Sequence, residues 1–172
     1  MPRCSVHYGA SLDAGCDVTF VSTGGNLDHA TDPLARSLPD LIRELSLEKN
    51  LRLLGVVPRA TCLEIMRHAC AIVQPSLFEG WSTVIEDARA LERPLIVSDI
   101  PVHREQLGQS AIFFRPSDPD ALAAAVIAAD ATLPAGPSPE SERAARTDLA
   151  RRVRASAERF LGILRAEATP ED

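Results

Sequence analysis

The chain has 172 residues, 45% hydrophobic and 24% charged, a composition typical of a single soluble globular domain with a substantial core. The formal net charge of -6 makes a nucleic-acid backbone a poor partner. No apolar run approaches the ~20 residues that a membrane-spanning helix needs, and residues 1–10 lack the apolar stretch of a signal peptide. Lys49 is the only lysine, so an anionic ligand would be held by arginine side chains or by backbone N–H groups.

Short β-branched runs alternate with helical stretches along the chain. The predicted strands cover 18–23, 51–54, 71–75, 95–97 and 111–114. The predicted helices cover 33–47, 61–69, 83–91, 102–107 and 119–129, and a long arginine-rich helix covers 142–166. Asp32 and Asp118 each precede a proline, so we expect them to be the N-caps of the helices that follow.

This alternation, with strands that are apolar on both faces, predicts an α/β fold. We expect a Rossmann-like, doubly wound parallel sheet of about five strands with helices on both faces and a long C-terminal helix. The predicted divisions are an N-terminal extension (1–16), a ligand-binding Rossmann-like domain (17–132), a linker (133–141) and a C-terminal helix and tail (142–172). In sheets of this type, ligands bind beyond the carboxyl ends of the strands.

The cysteines and histidines do not form a metal-binding pattern. Cys4, Cys16, Cys62 and Cys70 contain no CxxC pair, and their spacings match neither a zinc site nor a thioredoxin-like site. We interpret them as reduced thiols of a cytoplasmic protein. The four histidines are isolated from one another in the sequence, and we therefore expect no metal site.

The most informative segment is residues 74–88, which predict the end of a strand, a loop and the start of a helix. Gly80 in the loop lets the backbone approach a ligand closely. We expect the free N–H groups of Ser82, Thr83 and Val84 to form an anion site that the helix dipole strengthens. Glu79 precedes this site, and a carboxylate there accepts pairs of hydroxyl hydrogen bonds well.

Structural roles are open for several of these residues. Thr83 and Glu86 fit a capping box in which Glu86 reaches back to the Thr83 N–H group. Asp87 could simply favour the positive end of the helix dipole, and Trp81 could be core packing.

The run PSLFEGWSTVIEDA (75–88), followed by RPLIVSDIP (93–101), closely resembles the donor-binding half of the retaining group 1 glycosyltransferases. That family is glycogen-synthase-like and has the glycosyltransferase B-type (GT-B) fold. Residues 53–58 and 113–118 fall where the family has its other landmarks, and the resemblance covers about residues 17–130.

The resemblance implies a site for a nucleotide-diphosphate sugar and an E-x7-E motif that binds it. By position, Glu79 would meet the donor sugar as the catalytic-site acid, and Asp87 would meet the ribose, so the motif here reads E-x7-D. The other donor-binding residues implied by position are Gly24, Gly25, Val57, Pro58, Gly80, Trp81 and the amides of Ser82, Thr83 and Val84. The loop at 55–59 resembles the family's base-contacting loop, although a plain strand-to-helix turn fits it as well.

The resemblance also implies parts of an enzyme that this sequence does not match. Family enzymes have an N-terminal acceptor domain and a first strand–helix unit that supplies an Arg/Lys pair for the diphosphate. We expect this chain to be about half of such an enzyme, as a fragment or a subunit, and inactive alone. The uncovered edge of the first predicted strand favours self-association. The family needs no metal or cofactor beyond its donor substrate.

Two alternatives to a transferase remain. The chain could be a non-catalytic subunit that binds a nucleotide-sugar or a partner protein. A sugar-nucleotide epimerase of similar fold would need catalytic acids and a histidine in a cleft between two domains, and the chain offers no such set.

Overall fold

The computed structural model describes residues 18–24, 33–133 and 136–167, which contain five strands and six helices. The strands are β1 (Phe20–Ser22), β2 (Leu51–Leu53), β3 (Ile72–Gln74), β4 (Leu95–Ser98) and β5 (Ile112–Phe114). The helices are α1 (Pro33–Glu44), α2 (Arg59–His68), α3 (Thr83–Ala90), α4 (Pro101–Leu107), α5 (Pro119–Thr132) and α6 (Pro139–Glu167). The predicted alternation is therefore confirmed. In the described part of the chain, no helix is long and apolar enough to cross a membrane.

Three element boundaries differ from the prediction by three residues, namely the ends of α1 and α5 and the start of α6, and the others lie within two residues of it. Helix α1 ends at Glu44 instead of 47 because Ser46 has a left-handed backbone with φ of 53°. The Leu47 N–H group then donates to the Ile42 carbonyl at 2.8 Å and closes the helix end. Helix α6 begins at Pro139, so its first turn overlaps the predicted linker 133–141.

All the described strand pairs are parallel, and β4 lies between β3 and β5. All four residues of β4 are buried. Leu95 and Val97 belong to one apolar cluster, to which Met66 of α2, Ile85 of α3 and Leu107 of α4 also belong. Ile96 belongs to a second cluster with Phe114 of β5, Val126 and Ala129 of α5, and Val18. Apolar helix faces therefore cover both sides of β4, as the doubly wound prediction requires.

The five strands form two hydrogen-bonded groups, β1–β2 and β3–β4–β5, instead of one continuous sheet. Within the residues described, no ladder joins β1 to β3, although Val18 and Phe20 pack in the same apolar cluster as Val73. The sequence resemblance begins after the first strand–helix unit of the family's domain, so the predicted strand at 18–23, which contains β1, resembles the second strand of that domain. Because a doubly wound sheet has the order 3-2-1-4-5-6, the equivalent of its first strand belongs between β1 and β3. The division between the two hydrogen-bonded groups of strands falls at the same position, between β1 and β3.

Self-association through the edge of β1 that no described strand pairs stays a prediction. Unpaired N–H and C=O groups along a strand edge can pair with another chain. We expect light scattering at rising protein concentration to give a molar mass above the 18.5 kDa of one chain. A mass that stays at the value of one chain up to high concentration would contradict the prediction.

The predicted cap of α5 is confirmed, whereas Asp32 lies outside the described residues. The Asp118 carboxylate accepts a hydrogen bond of 2.9 Å from the Ala121 N–H group. We expect Asp118→Ala to lower the free energy of unfolding by about 1 kcal/mol, because it removes this acceptor. Urea unfolding measures the loss. The exposed Asp120 in the first turn of α5 is the matched control. An equal loss of stability in Asp120→Ala would show that the effect comes from removing a negative charge at the helix start and not from removing the cap.

Candidate functional site

The carboxyl ends of the parallel strands carry the residues that the sequence singled out. Strand β1 leads to Gly24 and β2 to Gly55, both with left-handed backbones of φ 85° and 64°. The Gly24 N–H group donates to the Gly55 carbonyl at 2.8 Å, so these two turns lie side by side. Gly25 lies outside the described residues. Pro58 is the N-cap residue of α2, and Val57 before it is half-buried.

Glu79 is the centre of a polar cluster beyond β3 and β4. The Gln74 amide and the Ser76 hydroxyl both donate to Oε1 of Glu79. Nε2 of His103 lies 3.7 Å from the same oxygen, and the Glu79 side chain is only 16% exposed. The Ser98 hydroxyl at the end of β4 donates to the Ser76 carbonyl and ties the loop to the sheet. Glu79 is therefore held by residues at the ends of two neighbouring strands.

The surroundings of Glu79 favour its charged form. Burial acts to raise the pKa of the Glu79 carboxyl, but the hydrogen bonds from Ser76 and Gln74, the adjacent Ser82 hydroxyl and the charge of His103 lower it. The net effect places the pKa of Glu79 below its ordinary value of 4.5. The carboxylate is thus a preformed acceptor for hydroxyl groups at neutral pH.

This lowered pKa predicts a pH dependence of stability. A carboxyl whose pKa is depressed in the folded state stabilises that state above its unfolded pKa, and the contribution is lost as pH falls through the folded value. We expect the wild-type chain to lose more free energy of unfolding between about pH 7 and about pH 3 than Glu79→Gln does, because glutamine does not titrate. Urea unfolding at the two pH values measures both losses. Equal losses would contradict the preferential stabilisation of the charged form.

The start of α3 is only partly available to an anion, which corrects one expectation. The Ser82 N–H group donates to Oε1 of Gln106 at 3.1 Å, and the Ser82 carbonyl accepts from the same side-chain amide at 3.0 Å. The sequence predicts a free Ser82 N–H group, but Gln106 occupies it. The N–H groups of Thr83 and Val84 lie in the first turn of α3, where no preceding helical carbonyl can accept them.

The capping-box interpretation of Glu86 is wrong. Ser82, and not Thr83, is the N-cap residue, and the cap has no side-chain hydrogen bond. Oε1 of Glu86 accepts from the Gln106 amide at 3.1 Å, and Oε2 lies 3.8 Å from the Arg152 guanidinium on α6. The reason is tertiary: α4 and α6 offer Glu86 partners that a local pattern does not reveal. Glu86 connects α3 to these two helices.

Asp87 forms an ion pair that sequence reasoning missed. Both its carboxylate oxygens accept from the Arg59 guanidinium, at 2.6 and 2.8 Å. The Asp87 side chain is 18% exposed and that of Arg59 is 67% exposed. Hydrogen bonds to Asp87, followed by its charge, raise the pKa of Arg59. Arg59 thus brings a positive charge from the start of α2 to the helix that carries Asp87.

The surface around Glu79 is open and partly apolar. A side chain placed at Gly80 would meet nothing within 4 Å, so the backbone there faces open space. Trp81 is 55% exposed and Phe78 87% exposed, so the core-packing interpretation of Trp81 is wrong. Exposed aromatic side chains beside a preformed acceptor are typical of a surface that a ligand or a partner covers.

Comparison with known proteins identifies the family. The family model described as "Glycosyl transferases group 1" matches residues 10–129, and this chain belongs to that family. The O-antigen chain mannosyltransferase RfbU of Salmonella typhimurium (strain LT2) is 34% identical over 84 residues. That match covers 49% of this chain and 24% of the mannosyltransferase, so the chain matches only about a quarter of that relative's length.

Solved structures show the same fold. A glycosyltransferase from Rickettsia africae matches with a TM-score of 0.69 and 17% identity, over 91% of this chain and 42% of its own. Sucrose-phosphate synthase from Thermosynechococcus elongatus matches with a TM-score of 0.65 and 19% identity, over 93% of this chain and 42% of its own. Anabaena HepE in complex with UDP-glucose has a TM-score of 0.56 and 19% identity, over 76% of this chain and 36% of its own. The fold is therefore that of one part of a GT-B glycosyltransferase.

Proposed function

We propose that this chain is the donor-binding domain of a retaining glycosyltransferase that transfers a hexosyl group. It binds a nucleoside-diphosphate sugar at the carboxyl ends of β3 and β4 and presents the sugar to an acceptor held by another domain. The observation that carries the proposal is Glu79, a carboxylate anchored through Oε1 beside the first turn of α3.

The sugar and the diphosphate are recognised by different groups in this proposal. Glu79 accepts hydrogen bonds from hydroxyl groups of the sugar. The first-turn N–H groups of Thr83 and Val84 face the diphosphate, because the positive end of a helix dipole favours an anion. The turns at Gly24 and Gly55 lie side by side. Because glycine has no side chain, they leave open space for the ligand.

The nucleoside lies toward α2 in this proposal. Asp87 accepts a hydrogen bond from the ribose while it keeps part of its pairing with Arg59, since each carboxylate oxygen has two lone pairs. Arg59 is mostly exposed and adds positive charge near the diphosphate. Backbone groups of Val57 and Pro58 contact the base. This use of helix N–H groups and Arg59 supports a donor site that needs no metal ion.

The acceptor belongs to a second domain, on a longer form of this chain or on a partner. The exposed Phe78 and Trp81 support this part of the proposal, because a facing domain would cover them. The extent of the match supports it too, since the solved neighbours are more than twice as long as the part that matches. Cys62 and Cys70 are free thiols, which supports a cytoplasmic location.

Titration calorimetry of the 172-residue chain with a panel of nucleotide-sugars tests the proposal. The panel contains GDP-mannose and UDP-glucose, each with its nucleoside diphosphate alone. We expect one nucleotide-sugar to bind with a Kd near ~1 mM, about −4 kcal/mol, and more tightly than its nucleoside diphosphate. Glu79→Gln should remove the difference, whereas Glu105→Gln, at an exposed position on α4, should keep it. Equal affinity for nucleoside diphosphate and nucleotide-sugar in the wild-type chain would contradict a donor site at Glu79.

A further inference from the structure

His103 is a fully buried histidine for which the sequence suggested no role. It lies in α4, directly after β4, and its side chain has no exposed surface. A buried imidazole is costly unless both ring nitrogens are satisfied, because each is a hydrogen-bonding group. The partners of the two nitrogens therefore define its state.

The Nδ1 atom of His103 carries a proton. It lies 2.8 Å from the Ser98 carbonyl oxygen, and a carbonyl can only accept a hydrogen bond. Ser98 is the last residue of β4, so this bond fixes the ring against the sheet. The Ser98 hydroxyl is also within 3.3 Å of Nδ1 and donates to the Ser76 carbonyl. The ring therefore has one orientation, with Nε2 pointing away from β4.

The Nε2 atom is buried and has no hydrogen-bond partner within the part of the chain that the structure describes. Oε1 of Glu79 lies 3.7 Å away. In a neutral ring, the lone pair of Nε2 would face a carboxylate oxygen, so two acceptors would confront each other without a proton. A proton on Nε2 converts this pair into a cation facing an anion. Arg104, the next residue in the helix, does not supply that charge, because it pairs with Asp99 at 2.6 Å.

Three contacts of the Glu79 carboxylate share the same oxygen. Gln74, Ser76 and His103 all face Oε1. Such an arrangement fixes the plane of the carboxylate and directs Oε2 as the acceptor for a ligand.

We propose that His103 is a positioning residue for Glu79: its imidazolium ring, held by Ser98, pairs with Oε1 and leaves Oε2 to accept hydroxyl groups of the donor sugar. The sugar-binding part of this inference rests on the proposed function, whereas the pairing of His103 with Glu79 does not. The two parts therefore need separate readouts.

The pairing is tested without any ligand. Two-bond ¹H–¹⁵N correlation spectra of the ¹⁵N-labelled chain at about pH 7 report which ring nitrogens carry protons. We expect both nitrogens of His103 to be protonated in the wild-type chain, and Nε2 to lose its proton in Glu79→Gln. The exposed His68 is the internal control and should give the same spectrum in both chains. A wild-type His103 protonated only at Nδ1, or one that Glu79→Gln leaves unchanged, would overturn the inference.

The effect on sugar recognition is tested by two replacements of His103. Glutamine can place its amide donor near the position of Nε2, whereas asparagine reaches only the position of Nδ1. The readout is the ratio of affinities for GDP-mannose over GDP and for UDP-glucose over UDP. We expect His103→Asn to reduce this ratio about tenfold in the pair that binds, His103→Gln to retain most of it, and nucleoside diphosphate affinity to stay unchanged in both.

A double variant distinguishes positioning from a merely structural effect. In the Glu79→Gln background, His103→Asn should cause no further loss of the ratio, because the effect of His103 acts through Glu79. Additive losses, or equal losses in His103→Gln and His103→Asn, would overturn the positioning role. If the wild-type chain binds neither nucleotide-sugar, the proposed function fails and so does the sugar-binding part of the inference, while the ring spectra still decide the pairing.

Discussion

The purified 172-residue chain is expected to bind a nucleotide-sugar but not to transfer the sugar, and turnover is expected only when an acceptor-binding domain is supplied. Transfer needs the acceptor hydroxyl held within about 3–3.5 Å of the anomeric carbon, and that placement supplies much of the rate. In our proposal, Glu79 and the first turn of α3 contact the donor sugar-nucleotide and do not contact the acceptor. A radiolabelled-donor assay on the chain, alone and joined to the first half of a longer family member, measures the difference.

The chain joined to an acceptor-binding half allows the effect of Glu79 on the rate of transfer to be measured, and we expect this effect to be the largest of any single residue. In it, Glu79→Gln should lower kcat/KM by about a hundredfold or more, because it removes a charged acceptor at the reacting sugar, and two tenfold steps correspond to ~2.7 kcal/mol. Glu105→Gln should leave kcat/KM unchanged. Robust turnover by the 172-residue chain alone would contradict the division of labour between two domains.

Asp87 is expected to matter for the nucleotide and Glu86 is not, although both are acids in the same helix. A hydrogen bond to a charged group contributes roughly 1.5–3 kcal/mol, so Asp87→Ala should weaken binding of the preferred nucleoside diphosphate about tenfold or more. Glu86→Ala should leave binding intact and cost only stability, because Glu86 contacts Gln106 and Arg152. Calorimetry with GDP and UDP measures both variants.

An exchange of the ion pair separates binding from folding. The double variant Arg59→Asp with Asp87→Arg can re-form the pair and keep stability, but it places a cation where the ribose needs an acceptor. We expect its stability to approach that of the wild type while nucleotide affinity stays low. Wild-type affinity in the exchanged variant, or intact binding in Asp87→Ala together with lost binding in Glu86→Ala, would reverse the assignment.

The parts of the fold that could be predicted from the sequence depend on local patterns. Apolar strands such as β4, the Asp118-Pro119 start of α5 and the helical spacing of apolar residues each involve neighbours in the chain. Such patterns specify which segments are strands or helices and, through the alternation, that the strands are parallel. The end of α1 differed because the left-handed Ser46 depends on a backbone turn that serine rarely adopts.

The contacts of the site could not be predicted, since they join residues that are far apart in the sequence. Gln106 reaches Ser82 across 24 positions, and Arg59 reaches Asp87 across 28. No periodicity relates such positions. The sequence therefore contains no pattern that predicts the hydrogen bond of the Ser82 N–H group or the ion pair of Asp87. The apparent capping box at Glu86 shows the opposite failure, where a local pattern was present and tertiary partners prevailed.

Backbone NMR with the ¹⁵N-labelled chain tests the central claim most directly, because it locates a bound nucleotide-sugar without assuming a reaction. We expect titration with GDP-mannose or UDP-glucose to shift the amide signals of Gly24, Gly55, Gly80, Thr83 and Val84. The signals of α5 and of the second half of α6 should stay in place. The sugar-free nucleotide should shift the signals near Glu79 less than the nucleotide-sugar does. Shifts confined to α5 and α6, or none at saturating concentrations of either compound, would contradict a donor site at the carboxyl ends of β3 and β4.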